Sequence, residues 1–319
     1  MARSAEAGIV HLRLVVPEEA AARVLQTLDR SPAVVNIVRV PGASVKPPGD
    51  LVLCDVAREE TSVIVDQLCE LGLDRDGSIS VDTVETTISA AAHRAALAAA
   101  GSPADAVIWE EVEARTSESA ELSFSFLAFM VLATLIAAVG ILTDSQILII
   151  GAMVIGPEFG PVAGLSVALV ARRGEFALRS AIALAVGFPL AIATVVLVVL
   201  VLRAAGPAPD EIAAHERPAT FFISHPNTFS VLVALFAGVA GMLSLTTAKS
   251  GALTGVLISV TTIPAAANVG VAAAYADWSE LGGALAQLGL NLACLILAGT
   301  ATLTVQRQLF RRRLRGAVG

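Results

Sequence analysis

Glu158 stands in Ile155-Gly156-Pro157-Glu158-Phe159-Gly160-Pro161, deep inside a long apolar run, and is the only acid well within any such run. A carboxylate at the centre of a membrane helix costs about 3 kcal/mol on insertion scales, so it is usually retained for a purpose. Two roles fit it equally. It is an ion or proton ligand at a broken helix, or a hydrated carboxylate in a short loop that reaches a vestibule or caps the next half-helix. Gly156, Pro157, Gly160 and Pro161 surround it with residues that cannot continue a regular helix. A second polar set lies about a hundred residues on: Ser259, Thr261, Thr262, Pro264, Asn268 and Asn291. Their neutral oxygens suit a cation or polar solute, and equally the hydrogen bonds between helices that small polar residues commonly make in membranes.

Other chemistry is thinly represented. Cys54, Cys69 and Cys294 have neither metal-ligand nor redox spacing and read as small apolar fillers. Asp74-Arg75-Asp76-Gly77 lacks the further ligands of a calcium loop and reads as a surface turn. His215 and His225 lie in or beside one loop without a metal pattern. Gly238, Gly241, Gly282 and Gly283 read as close helix packing. With no nucleophile-base triad, P-loop or dinucleotide fingerprint, an enzyme is not expected, nor a cofactor or a metal.

The elements that must hold Glu158 and its companions are membrane spans. The chain of 319 residues is 55% hydrophobic and 15% charged, against about 25% charged in soluble domains. Residues 1–120 carry 10 basic and 19 acidic side chains; the remaining 199 carry 11 and 9. Six apolar segments follow the acidic third, at about 122–142, 145–171, 177–202, 229–248, 251–274 and 281–306, within a membrane domain of 121–306. The second segment would be about 40 Å long as one helix, more than the roughly 30 Å hydrocarbon core, so its Gly-Pro centre predicts a discontinuous or re-entrant helix with a buried break. The fifth has a counterpart interruption at Thr262-Ile263-Pro264. Pro157 and Pro264 lie at similar distances into two sets of three segments, which predicts a 3+3 inverted repeat with a central site between the breaks.

Basic residues follow the second, fourth and sixth segments: Arg172, Arg173 and Arg179, then Lys249, then the tail 307–319 with Arg307, Arg311, Arg312, Arg313 and Arg315. The positive-inside rule puts them, and both termini, in the cytoplasm. No signal peptide is read before the first domain. That domain, 1–88, runs strand (9–16), helix after Pro17, strand (33–40), a loop (41–50), strand (51–57), helix (59–71) and strand (78–84). This is an α+β, ferredoxin-like βαββαβ order. Its acidity argues against nucleic acid. Residues 89–120 read as an acidic helical linker, interrupted at Gly101-Ser102-Pro103, that needs a partner subunit or its own domain as neighbour.

The run Ser145-Gln146-Ile147-Leu148-Ile149-Ile150-Gly151-Ala152-Met153-Val154-Ile155-Gly156-Pro157 through Gly160-Pro161-Val162-Ala163-Gly164 resembles the signature of the bacterial "uncharacterised hydrophobic domain" membrane family, domain of unknown function 389. Thr262-Ile263-Pro264, Val269-Gly270 and Asn291-Leu292 are similar to its second half, so the resemblance covers about 122–306. Two departures stand out: Glu158 where the family often has an apolar residue, and Ala265 where it often has a second proline. A site common to the family therefore does not depend on Glu158 alone. The resemblance implies a multi-pass protein of the bacterial cytoplasmic (inner) membrane and supplies no substrate.

Two functions remain in view. The first is a transporter or channel for an ion or small polar solute, with the N-terminal domain as a regulatory or assembly module. The second is a membrane-anchored oligomeric sensor or scaffold whose N-terminal domain binds a ligand or partner. Paired broken helices favour the first. Beyond the lipid bilayer, a homo-oligomer is expected, because ferredoxin-like domains often pair through their sheets.

Overall fold

The computed structural model describes residues 8–84, 86–99, 106–209, 220–247 and 262–317. Ser259, Thr261, Lys249, His215 and the 101–103 interruption lie outside the described residues. The chain divides into two units, Met1–Val112 with Thr246–Ala248 and Arg312–Gly319, and Glu113–Leu245 with Lys249–Arg311.

In the first unit, the head, apolar alternation in β1 (Ile9–Val16) sends Val10, Leu12, Leu14 and Val16 to one face. Helix α1 (Glu18–Arg30) begins after Pro17 with two glutamates in its first turn and lays Ala21, Val24 and Leu28 on that face. Strands β2 (Val34–Val45) and β3 (Pro48–Ala57) form a hairpin. A 3-10 turn (Arg58–Glu60), α2 (Thr61–Glu70), a single turn α3 (Leu73–Asp76) and β4 (Ser78–Val84) complete the series. The sheet order is β2-β3-β1-β4 with every neighbouring pair antiparallel. Ile64, Val65 and Leu68 of α2 join the same core as α1.

The loop expected at 41–50 is instead the end of the hairpin. Pro41 is tolerated because β2 is an edge strand that has an unpaired side. Gly42 takes φ +62° at a shift in strand register between Val40 and Ser44. Buried Asp50 pins that bulge, accepting from the Gly42 N–H (2.8 Å) and from Arg39 Nε (2.8 Å). Asp74 and Asp76 sit in the α3 turn, which Leu73 anchors in the core. Helix α4 (Ala90–Ala98) buries Ala92 and Ala95. The start of α5 (Trp109–Ser119) belongs to the head: Ile108 enters the core, and Ser62 Oγ donates to Glu110 (2.8 Å). Arg58 pairs with Glu111 (3.7 Å). These acids of the linker thus find partners within their own chain.

The second unit is helical: α6 (Phe124–Leu142), α7 (Gln146–Ile155), α8 (Phe159–Ala171), α9 (Gly174–Ala205), α10 (Thr228–Thr246), α11 (Thr262–Ala274) and α12 (Trp278–Ala317). Four of them, α6, α9, α10 and α12, are long and apolar enough to cross a membrane, and α7 with α8 makes a fifth if the bent pair is one span. Small residues face inward, such as Ala133, Ala137, Ala183, Gly187 and Ala191, while Leu197, Phe236 and Leu297 are 62–66% exposed. This inversion of the soluble pattern suits a lipid solvent, where association comes from close backbone packing.

The second half of this unit repeats the first with a constant spacing. Helices α6 and α10 are each 19 residues, and Thr228 follows Phe124 by 104. The start of α12, Trp278, follows that of α9, Gly174, by the same 104. The residues just before those helices, Arg172 (φ +58°) and Ala276 (φ +56°), share the left-handed conformation and the spacing. So do the backbone bonds Arg173 N–H to Ala168 O and Asp277 N–H to Ala272 O. Ser123 and Asn227, again 104 apart, cap α6 and α10. Helices α8 and α11 both have 13 residues.

This register corrects the pairing of the two prolines, which lie 107 apart. Pro264 lies within α11, two residues after Thr262, and answers to Gly160, not to Pro157. The residue that answers to Glu158 is Thr262.

Candidate functional site

The break is built from three residues. Helix α7 ends at Ile155, Gly156 is extended (φ −61°, ψ 127°), and Pro157 lacks the N–H that would continue the ladder. Helix α8 restarts at Phe159 with Pro161 in its first turn, bent 49° from α7. Glu158, immediately before α8, turns its side chain inward and is 5% exposed. Its Oε1 accepts a 2.6 Å hydrogen bond from Thr262 Oγ1, 104 residues away in sequence. Its Oε2 has no hydrogen-bond partner. A side chain at Gly156 would meet Oε2, and would come within 2.6 Å of Ile263 Cγ1. The glycine is what lets the carboxylate fold back to α11.

Helix α11 is the inner wall. Thr262, Ile263, Pro264, Asn268 and all its remaining residues but one are buried, against α6, α7 and α9. Ala265, Ala266 and Ala267 allow the close approach, and Gly270 meets Val195 and Ile192 of α9. Glu158 stands at the N-terminal end of α8, whose N–H groups carry about half a positive charge.

The other residues singled out by sequence divide. Pro157 and Gly160 line a cleft of about 530 Å³ with Gly156, Phe159 and the end of α5, including Arg115 and Glu118. Gly160 packs on the Ser119 backbone. Asn268 is buried and bonds elsewhere, its Nδ2 donating to Glu280 (3.2 Å). Asn291 accepts from Gln287 within α12 (3.1 Å). Thr261 lies outside the described residues. Sequence reasoning thus named Glu158 and Thr262 but not their contact, and passed over Gln287, Glu280 and the α5 wall. The matched caps Ser123 and Asn227 were the signal that would have given the register.

Two arginines mark the ends of the repeat. Arg203 of α9 donates to the Ala274 carbonyl at the end of α11 (2.7 Å), its guanidinium 4.2 Å from the Tyr275 ring centroid. Arg307 of α12 donates to the Val170 carbonyl near the end of α8 (2.6 Å). Donors and acceptors are both 104 residues apart, so each half ties down the other's short helix. On α5, Glu113 pairs with Arg173 (2.8 Å).

Residues 153–297 match the model of the family described as Domain of unknown function (DUF389). The chain is 30% identical over 179 residues to an uncharacterized protein of Methanocaldococcus jannaschii, which covers 54% of this chain and 52% of the relative. It therefore spans about half the length of that curated relative. No solved structure matches.

Proposed function

We propose, from the match of residues 153–297 to the DUF389 family, that the membrane body transports an ion or small polar solute between two inverted three-segment halves. The observation that carries this reading is the contact of Glu158 with Thr262, residues in matching positions of the two halves, at the break in a span. A membrane anchor has no need of a carboxylate 5% exposed beside an interrupted helix. Transporters of the inverted-repeat kind place their sites where half-helix ends meet near the bilayer midplane. In this reading the bent pair is one span and the six apolar segments of the sequence are six spans, the first part of the fifth (251–261) lying outside the described residues. The protein resides in the inner membrane with both termini cytoplasmic. The head is ferredoxin-like, supported by its element and strand order, and serves regulation or assembly in a homo-oligomer. The protein is not an enzyme.

The test is flux in proteoliposomes across a panel of ions and small polar solutes, with Glu158→Gln and Pro157→Ala beside the wild type. Flux that both substitutions abolish supports transport; a wild type that moves nothing refutes it. The sensor reading is favoured by one observation, a cleft of about 340 Å³ in the head between α1 and α2, lined by Thr27, Arg30, Glu60 and Gln67. A ligand there would protect α1 and α2 from hydrogen exchange in the full-length protein.

A further inference from the structure

We propose that the ligand of the Glu158 site is a proton, bound at Oε2, and that the Glu158–Thr262 contact is the point at which proton binding is felt by both halves. The inference rests on the transport reading and gives it a coupling ion.

The argument begins with what surrounds the carboxylate. Helices α6, α7, α8, α10 and α11 contain no Asp, Glu, Lys, Arg or His. On α9, Glu175 and Arg179 pair with each other at the exposed start, and Arg203 is engaged by the Ala274 carbonyl at the far end. On α12, Glu280 is held by Asn268 and Arg307 by the Val170 carbonyl. On α5, Arg115 and Glu118, with Glu121 after it, line the same cleft as Gly156 and Pro157, and Glu158 itself is not among its lining residues. Among the described residues, then, no cation pairs with Glu158, and one of its two oxygens is left bare. A buried charge of this kind is costly unless it is paired or neutralised.

Which positive partner fits follows from the number of donors. A hard metal cation asks for around six oxygen ligands. Among the described residues, the space between Gly156 and Oε2 is closed by the Ile263 side chain, and Thr262 Oγ1 is committed to Oε1. Among the described residues no group of three His, Cys, Asp or Glu is in reach of a common metal. A proton needs one oxygen, and one is available.

A carrier must also tolerate losing its proton. The N-terminal end of α8 adjoins the carboxylate, and its partial positive charge offsets the negative charge of the ionised form. Thr262 keeps one oxygen bonded in both states. When Glu158 releases its proton, the O–H bond of the acid breaks and the electron pair stays on Oε2. The proton passes to water in the cleft that Gly156, Pro157 and Phe159 line. No other reactant is needed. Because Thr262 belongs to the second half, any pull of the carboxylate toward or away from it acts across the repeat.

Full-length protein in lipid nanodiscs, treated with an apolar carbodiimide and analysed by peptide mass spectrometry, tests this directly. The reagent adds to a protonated carboxyl in an apolar site to leave a stable N-acylurea. Wild type is expected to carry the adduct at Glu158, with a labelling rate that falls as pH rises and is indifferent to sodium or potassium. Thr262→Val, which strips the bond from Oε1, is expected to label faster at the same pH. Absence of the adduct at every pH overturns the proposal. Protection by sodium or potassium at constant pH overturns it too, assigning the site to a metal cation while leaving transport intact. Normal labelling in a protein that moves no ion or solute would refute transport and leave the proton site standing.

Discussion

Asp50 in the head and Glu158 in the membrane body are buried alike, at 3% and 5% exposure, yet their surroundings differ in kind. Asp50 is compensated on all sides: Arg39 reaches it with two nitrogens (2.8 and 2.7 Å) and Gly42 gives a backbone N–H (2.8 Å). Those bonds, the Gly42 N–H first and Arg39 next, hold its carboxyl below the usual carboxylate range. Glu158 has one neutral donor and one bare oxygen. A carboxylate that is fully paired fixes a bulge; a carboxylate left half-paired, beside a glycine that makes room for it, is poised to take something up. The same burial serves architecture in the head and, under the proposed function, exchange in the membrane body.

The sharpest way to break that contrast is Gly156→Ala. The added methyl meets the Glu158 carboxylate and Ile263, an overpacking worth about 1–3 kcal/mol, and is expected to abolish flux while leaving the thermal transition of the head unchanged. Next in size, Asp50→Asn should do the reverse, lowering the melting temperature of the head with flux retained. The pH dependence carries a sign. Asp50, with its value depressed by folding, contributes stability above its unfolded value of 3.8, and loses it as pH falls through the lower folded value. Asp50→Asn should therefore flatten the acid limb of the head's stability curve, followed by hydrogen exchange in full-length protein.

Glu59 sharpens the point from the other side. It is buried with both oxygens unbonded, and desolvation pushes its carboxyl up. An acid so shifted costs stability above its unfolded value and regains it as pH falls through the folded one. Glu59→Gln is therefore expected to raise the head's melting temperature at neutral pH. More local are the two arginine ties. Arg203→Ala should speed amide exchange at the end of α11 and Arg307→Ala that at the end of α8, each by about 1.5–3 kcal/mol of local opening. Equal effects would support the match between halves, and unequal ones would weaken it. The smallest effect is on Cys54, whose thiol burial pushes up to about 12. Maleimide at neutral pH should leave it unmodified until the head unfolds.

Much of this was legible in the sequence because single residues declare it. Pro17 with Glu18 and Glu19 starts α1, and Gly156-Pro157 interrupts the second apolar segment wherever it lies in space. The β2–β3 hairpin was hidden because Pro41 and Gly42 carry the composition of a loop. Only the pairing with Asp50 and the edge position of β2 show that the strand continues through them. The repeat was visible but misaligned. Two prolines are conspicuous, yet one is in a break and the other within a helix, where the same residue has a different mechanical meaning. The Glu158–Thr262 contact could not be read because it joins residues 104 apart across the two halves, and nothing local in either segment points at the other.

The most direct measurement is the infrared carbonyl stretch of protonated carboxyl groups in the full-length protein in lipid, wild type against Glu158→Gln. The account predicts a band in the wild type that is absent from Glu158→Gln, present in Glu280→Gln, and lost reversibly as pH is raised. Wild-type and Glu158→Gln spectra without such a difference at any pH would contradict it.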